Sequence, residues 1–296
     1  MHSWREAILV YLRPRVITML FLGFAAGLPF LLVFSTLSAW LKTAGISLSV
    51  IGFFGWVGIT YSIKVFWAPV VDRVPLPLLD NLLGRRRSWM LLAQIGIMTG
   101  LIGMAGIDPT QNITAIALFA LLVAFSSATQ DVALDAYRIE SVAKELQGAM
   151  AAMYIGGYRL GLLVAGAGAL YLANFTNWSL TYILMACLML VGVITVLIIQ
   201  EPATSINGNT RQREQRVIDF LENSSHLPNV LRQPMAWFIG AVVCPFTDFF
   251  QRNGALALII LLFISVYRIS DITMGVMANP FYLDMGFSLT EIANIT

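Results

Sequence analysis

Apolar residues do not stripe this chain at helical spacing; they run in long blocks broken by short polar stretches, and each block is about 20 residues, enough to cross roughly 30 Å of hydrocarbon. The pattern predicts seven spans, over residues 16–41, 49–71, 88–107, 112–140, 148–173, 179–200 and 254–283, with a further helix starting near Ser288. Helices rather than strands are implied. The first block follows Arg13 and Arg15 like the charged start of a signal peptide, but it is too long and lacks a small-residue cleavage site, so it is expected to stay in the protein.

The polar breaks divide the chain into three parts. Residues 1–200 form a six-helix transmembrane bundle, 201–253 a cytoplasmic linker, and 254–296 the start of a second bundle. The linker carries Pro202, Gly208 and a mixed-charge run from Arg211 to Glu222, and its apolar stretch Met235 to Phe250, broken by Pro245, is short for a span. That stretch is expected to lie along the membrane surface as an interfacial helix, either as a connector between two halves or as a partner site. Six spans, a polar connector and another span is the order of one half of a two-bundle secondary transporter plus the start of the other.

Composition agrees with lipid as the solvent. The chain is 58% hydrophobic and 11% charged, with a mean hydropathy of +0.78, more apolar surface than one soluble core of this length can hide. The net charge of +2 conceals an uneven distribution. Arg5, Arg13, Arg15, Arg73, Arg85, Arg86, Arg87 and the linker arginines alternate with loops that hold only Lys42, and the positive-inside rule therefore puts the N-terminus, the 72–87 loop and the linker in the cytoplasm. Nucleic acid is not suggested as a partner. Cys187 and Cys244 give no disulfide framework, and no cofactor or metal-ligand spacing is present.

The informative residues are the charges inside the spans, each costing about 2.5–3.5 kcal/mol at the bilayer centre unless it faces protein or water. Asp131, Asp135 and Arg138 fall at i, i+4 and i+7 on one face of the fourth span, with Gln130 beside them. A local Asp135–Arg138 ion pair could explain part of this as helix packing. Lys64 in the second span, Arg159 in the fifth, and Arg268 with Asp271 in the seventh favour a shared polar pathway. In it Asp131, Asp135 and Asp271 are the proton-coupling candidates, and Lys64, Arg138, Arg159 and Arg268 would hold an anionic substrate or neutralise those carboxylates. Tyr61 and Tyr158 could stack on sugar rings or face lipid. Glycines at helical spacing, Gly23 and Gly27 in the first span and Gly157 and Gly161 in the fifth, predict close helix contact. Asp72-Arg73 followed by Gly84-Arg85-Arg86-Arg87 looks like a stretched Gly/Asp/Arg loop signature of the major facilitator superfamily, although a plain positive-inside anchor also fits.

Five strings in chain order carry a more specific likeness: Gly23-Phe-Ala-Ala-Gly27-Leu-Pro29, Gly84-Arg-Arg-Arg-Ser-Trp89, Phe125-Ser-Ser-Ala-Thr-Gln-Asp131 through Asp135-Ala-Tyr-Arg138, Gly156-Gly-Tyr-Arg159-Leu-Gly161, and Tyr267-Arg268-x-x-Asp271. Together they resemble the AmpG family of muropeptide permeases within the major facilitator superfamily. The resemblance implies a proton-driven importer of anhydro-muropeptides in the inner membrane of a Gram-negative bacterium, serving peptidoglycan recycling and β-lactamase induction. It implies protons and muropeptide as partners besides membrane lipid, and a loop at Asp72, Arg73, Gly84, Arg85 and Arg86 that holds two bundles together. Acetyl-coenzyme A transporters are similar to this family and give the alternative substrate class. Family members look like about twelve spans, and alternating access needs two bundles. The chain is accordingly expected to be a fragment, a truncated product or one half that pairs with another, and not to transport alone. A non-transporting membrane remnant is a further alternative. An intramembrane enzyme resting on Asp131 and Asp135 is the weakest of the readings.

Overall fold

The computed structural model describes residues 9–202, 243–254 and 256–295, with isolated positions between 202 and 243. Among them are six helices long and apolar enough to cross a membrane: Pro14–Thr43, Leu48–Phe66, Arg85–Ala105, Ile113–Glu140, Lys144–Phe175 and Trp178–Ile198. Each overlaps one of the first six predicted spans. A helix over Leu256–Asp284 and a short one over Leu289–Ile295 follow, where the seventh span and the start of an eighth were expected. The linker and most of the predicted interfacial stretch lie outside the described residues, although Cys244–Asn253 is helical.

Several spans are interrupted where the sequence predicts unbroken runs. The first breaks at Phe34, between Pro14–Val33 and Ser35–Thr43. The second is a chain of short α and 3₁₀ turns from Leu48 to Arg73, with Gly52, Gly55 and Gly58 supplying few side-chain contacts to hold a regular helix. The fifth contains a π-helical turn over Val164–Gly168, and Thr36 Oγ1 in the first span donates to the Ala165 carbonyl at 2.7 Å, occupying an acceptor in that turn. Apolar run length does not report such breaks, because lipid rewards hydrophobicity whatever the local helix type.

The first and fifth spans approach backbone to backbone. A Cβ on Gly23 would fall on the Tyr154 carbonyl, one on Gly27 on the Tyr158 carbonyl, and ones on Gly157 and Gly161 on the carbonyls of Leu20 and Phe24. Only hydrogen fits at these crossings, as the glycine spacing predicts. The third and fourth spans pack antiparallel, with Gly96, Gly100 and Gly103 against Ser126, Val123 and Phe119. The turn between them is set by polar side chains. Asp108 accepts from the hydroxyl and backbone N–H of Thr110 at 2.7 and 2.9 Å, which holds its carboxyl below the usual range, and Asn112 caps the fourth span by accepting from Ala115 N–H at 3.0 Å.

The Leu256–Asp284 helix meets the six-span bundle at the end away from the arginine-rich loops. Lys42 pairs with Asp284 at 2.5 Å, and the Asn279 amide donates to the Ser35 carbonyl at 2.8 Å. Tyr171 donates to Asn294, and Ile292 and Ala293 pack on Ala39 and Leu170. Its opposite part is open: Leu258 and Phe263 are 65% and 71% exposed.

Candidate functional site

Charged and polar groups gather at two levels. Midway along the bundle, Lys64 of the second span reaches Asp131 of the fourth at 3.4 Å, with side chains 34% and 21% exposed. The separation is long for a charge-assisted hydrogen bond, so the pair is loose and partly open. One turn further, Asp135 pairs with Arg138 on its own helix at 3.3 Å, the local pair that the i, i+3 spacing allowed. Tyr154 of the fifth span lies within electrostatic range of Asp131, Asp135 and Arg138, and Tyr61 within range of Asp131 and Tyr158. Six of the residues singled out from sequence (Lys64, Asp131, Asp135, Arg138, Tyr61 and Tyr158) therefore share one seam between the second, fourth and fifth spans. Trp67 supports it by donating its indole N–H to Thr129 at 3.1 Å.

Other candidates stand apart from the seam or, like Tyr61, have their surface taken up within it. Gln130 is fully buried and its amide has no hydrogen-bond partner, so it turns into the bundle rather than onto the open face of Asp131. Tyr61 packs its ring edge-on to Phe30 with centroids 5.9 Å apart, which takes up ring surface a sugar would need. Arg159 lines a separate cavity of about 280 Å³ with Ser35, Gly166 and Asn279. Arg268 and Asp271 fall on the Leu256–Asp284 helix, but their side chains lie outside the described residues.

The second level is at the arginine-rich end. The buried Arg86 guanidinium donates to Asp72 at 2.6 Å and, with two nitrogens, to Glu140 at 2.7 and 3.1 Å. Glu201, just past the sixth span, accepts from the backbone N–H groups of Arg86 and Arg87 at 2.8 and 3.2 Å, placing a negative charge at the start of the third span where the helix dipole favours it. Arg87 returns the arrangement by donating to the Val196 and Leu197 carbonyls at 2.8 Å each, at the end of the sixth span. Gly84 opens the helix at φ +84°, with the Glu201 side chain where a Cβ would go. Among the described residues the loop thus ties the second, third, fourth and sixth spans to one another. Arg73 is exposed and enters no ion pair among the described residues. Glu140 and Glu201 were not foreseen as members; the available signal was that three consecutive arginines need carboxylates at the span ends beside them.

Residues 19–295 match the model of the Major Facilitator Superfamily. The chain belongs to the major facilitator superfamily. It is similar, at 35% identity over 285 residues, to the anhydromuropeptide permease of Escherichia coli K12, a match that covers 96% of this chain and 52% of that protein. It is equally similar, 35% over 283 residues, to the protein named AmpG 4 of Rickettsia felis, covering 95% of this chain and 63% of the relative. A Haemophilus influenzae protein with no functional name is 34% identical over 275 residues. The likeness to AmpG read from five short strings therefore extends along the chain, which spans between half and two thirds of the length of these relatives. An all-helical, multi-pass membrane architecture follows from the family and the six spans together.

Proposed function

We propose that this chain is the first bundle and the start of the second of a proton-coupled importer, carrying anhydro-muropeptides from periplasm to cytoplasm across the bacterial inner membrane. In this reading residues 1–200 are the first bundle, 201–253 a cytoplasmic linker and 254–296 the beginning of the second, with the N-terminus cytoplasmic because the arginine-rich loops lie at one end. The imported fragments feed peptidoglycan recycling and, through it, β-lactamase induction.

One observation carries the reading: the loose Lys64–Asp131 pair at membrane depth, open to the seam that Tyr154 and Tyr158 border. A carboxylate and an ammonium held at 3.4 Å hide each other's charge from lipid, yet among the described residues neither is locked by further hydrogen bonds. A proton arriving on Asp131 releases Lys64, which can then meet an anionic group of the cargo; its departure restores the pair. Asp135 and Arg138 keep the neighbouring turn neutral. A peptide carboxylate on a disaccharide is the type of group such a released cation would hold.

The test is uptake of labelled anhydro-muropeptide into proteoliposomes that hold this chain joined to a complete second bundle, under an imposed pH gradient. Accumulation that collapses when a protonophore is added supports the proposal. Uptake no greater than in protein-free liposomes, or uptake indifferent to the protonophore, overturns it.

A further inference from the structure

The loop between the second and third spans has an apolar surface that the ion pairs beside it do not use. Val74 to Leu83 leaves the second span through Pro75 and Pro77 and closes on the short helix Leu79–Leu83. Leu78, just before that helix, and Leu82, within it, are 81% and 79% exposed. Leu78 also holds φ +71°, the one positive φ at a non-glycine residue among the described residues. A leucine there is strained, and with its side chain in the open no packing inside the protein offsets the strain.

Around the loop, over residues 72–87, the cations outnumber the carboxylates. Arg86 and Arg87 are occupied by carboxylates and helix-end carbonyls, and Asp72 by Arg86. Arg73, exposed, and Arg85, half-buried with its Nε lacking a hydrogen bond, remain. Asp80 is the acidic group within the loop, and one of its oxygens is buried without a hydrogen-bond partner. The Trp89 indole donates to the Val74 carbonyl at 2.9 Å, fixing the base of the loop with an aromatic residue at the end of a span, where the lipid headgroups begin.

We propose that Val74–Leu83 is a membrane-surface anchor, in which Leu78 and Leu82 enter the boundary between headgroups and acyl chains while Arg73 and Arg85 meet anionic phospholipid headgroups. The loop emerges from one span and returns into the next, so the leaflet surface is already within its reach. Apolar side chains pointing outward, flanked by two cations that enter no ion pair among the described residues, match that surface in both hydrophobicity and charge. The anchor would fix the Asp72–Arg86–Glu140 cluster at a set depth.

Nitroxide labels test this in the full chain carrying Cys187→Ser and Cys244→Ser. Leu78→Cys, Leu82→Cys and, as the polar control, Asn81→Cys are labelled one at a time and reconstituted in nanodiscs of phosphatidylcholine with or without phosphatidylglycerol. Power saturation then compares collisions with oxygen, which concentrates in lipid, and with a water-soluble nickel chelate. The ratio is expected to favour oxygen at 78 and 82 and nickel at 81. Phosphatidylglycerol should shift the equilibrium between inserted and exposed loop by about fivefold for each arginine that reaches a headgroup, seen as a rise of the ratio at 78 that Arg73→Gln with Arg85→Gln should cancel. Nickel access at 78 and 82 equal to that at 81 would overturn the anchor and leave the leucines to a protein partner. A ratio indifferent to phosphatidylglycerol would overturn the headgroup contacts.

Discussion

The charges of Lys64 and Arg86 are tolerated because partners lie on other spans, and the identity of such partners is what sequence conceals. The pair Asp135–Arg138 could be read from its spacing, since i and i+3 on a helix are neighbours wherever the helix lies. Lys64–Asp131, separated by 67 positions, could be anticipated only as two charges that each need an explanation. Arg86 shows the other limit: the arginine run was legible as a membrane-side feature, but Glu140 and Glu201 as its partners were not, because nothing local connects them. Arg86→Ala leaves Glu140 and Asp72 without their cation at a site that water reaches only partly. We expect a loss of about 2 kcal/mol, less than a fully buried pair would cost because Asp72 is 46% exposed. It should be read as a lower midpoint in thermal unfolding in detergent, partly restored by Arg86→Lys. An unchanged midpoint would remove the cluster from the stabilising contacts. Gln130 carries the matching lesson for neutral groups, since its place beside Asp131 in sequence says nothing about which side of the helix faces the open seam.

At the scale of the elements, the span positions were legible and their continuity was not. Hydrophobic length reports that a segment crosses lipid, whereas the break at Phe34, the π-turn at Val164–Gly168 and the fragmented second span depend on packing and backbone contacts that composition leaves out. Small residues were the exception, because a glycine every fourth position exposes a strip of backbone and permits close approach. The crossing of the first and fifth spans depends on that strip at four glycines on two helices. Gly157→Leu would place a branched side chain on the Leu20 carbonyl and should force the spans apart at a cost of more than about 2 kcal/mol. The expected result is loss of the monodisperse peak in size-exclusion chromatography after membrane extraction. Gly148→Leu, at a glycine with nothing within 4 Å of its added Cβ, should leave that peak intact. Equal profiles for the two variants would show that the crossing does not need the glycine.

Across the whole molecule, the seventh helix is joined to the bundle at one end and stands open at the other, so the contacts at the joined end are the ones that alternating access would have to break. Lys42–Asp284 is the outermost of them. With Cys187→Ser and Cys244→Ser, the pair Lys42→Cys and Asp284→Cys should be bridged by a short bifunctional methanethiosulfonate, which spans the length the lysine stem filled, and the bridge should halt any uptake until a reductant is added; undiminished uptake in the cross-linked protein would show that this end does not open. The family and the six spans were within reach of the sequence, while the closed and open ends were not, since they depend on which faces of separate helices meet. The account rests most heavily on Asp131 as the group that exchanges protons with the seam. The most direct measurement compares Asp131→Asn with the unaltered sequence, each joined to a complete second bundle, in two assays of the same proteoliposomes: accumulation of the proposed cargo driven by a pH gradient, and exchange of labelled for unlabelled cargo at equal pH, which needs no net proton movement. The account predicts that Asp131→Asn loses accumulation and keeps exchange. Accumulation at the level of the unaltered chain would contradict it.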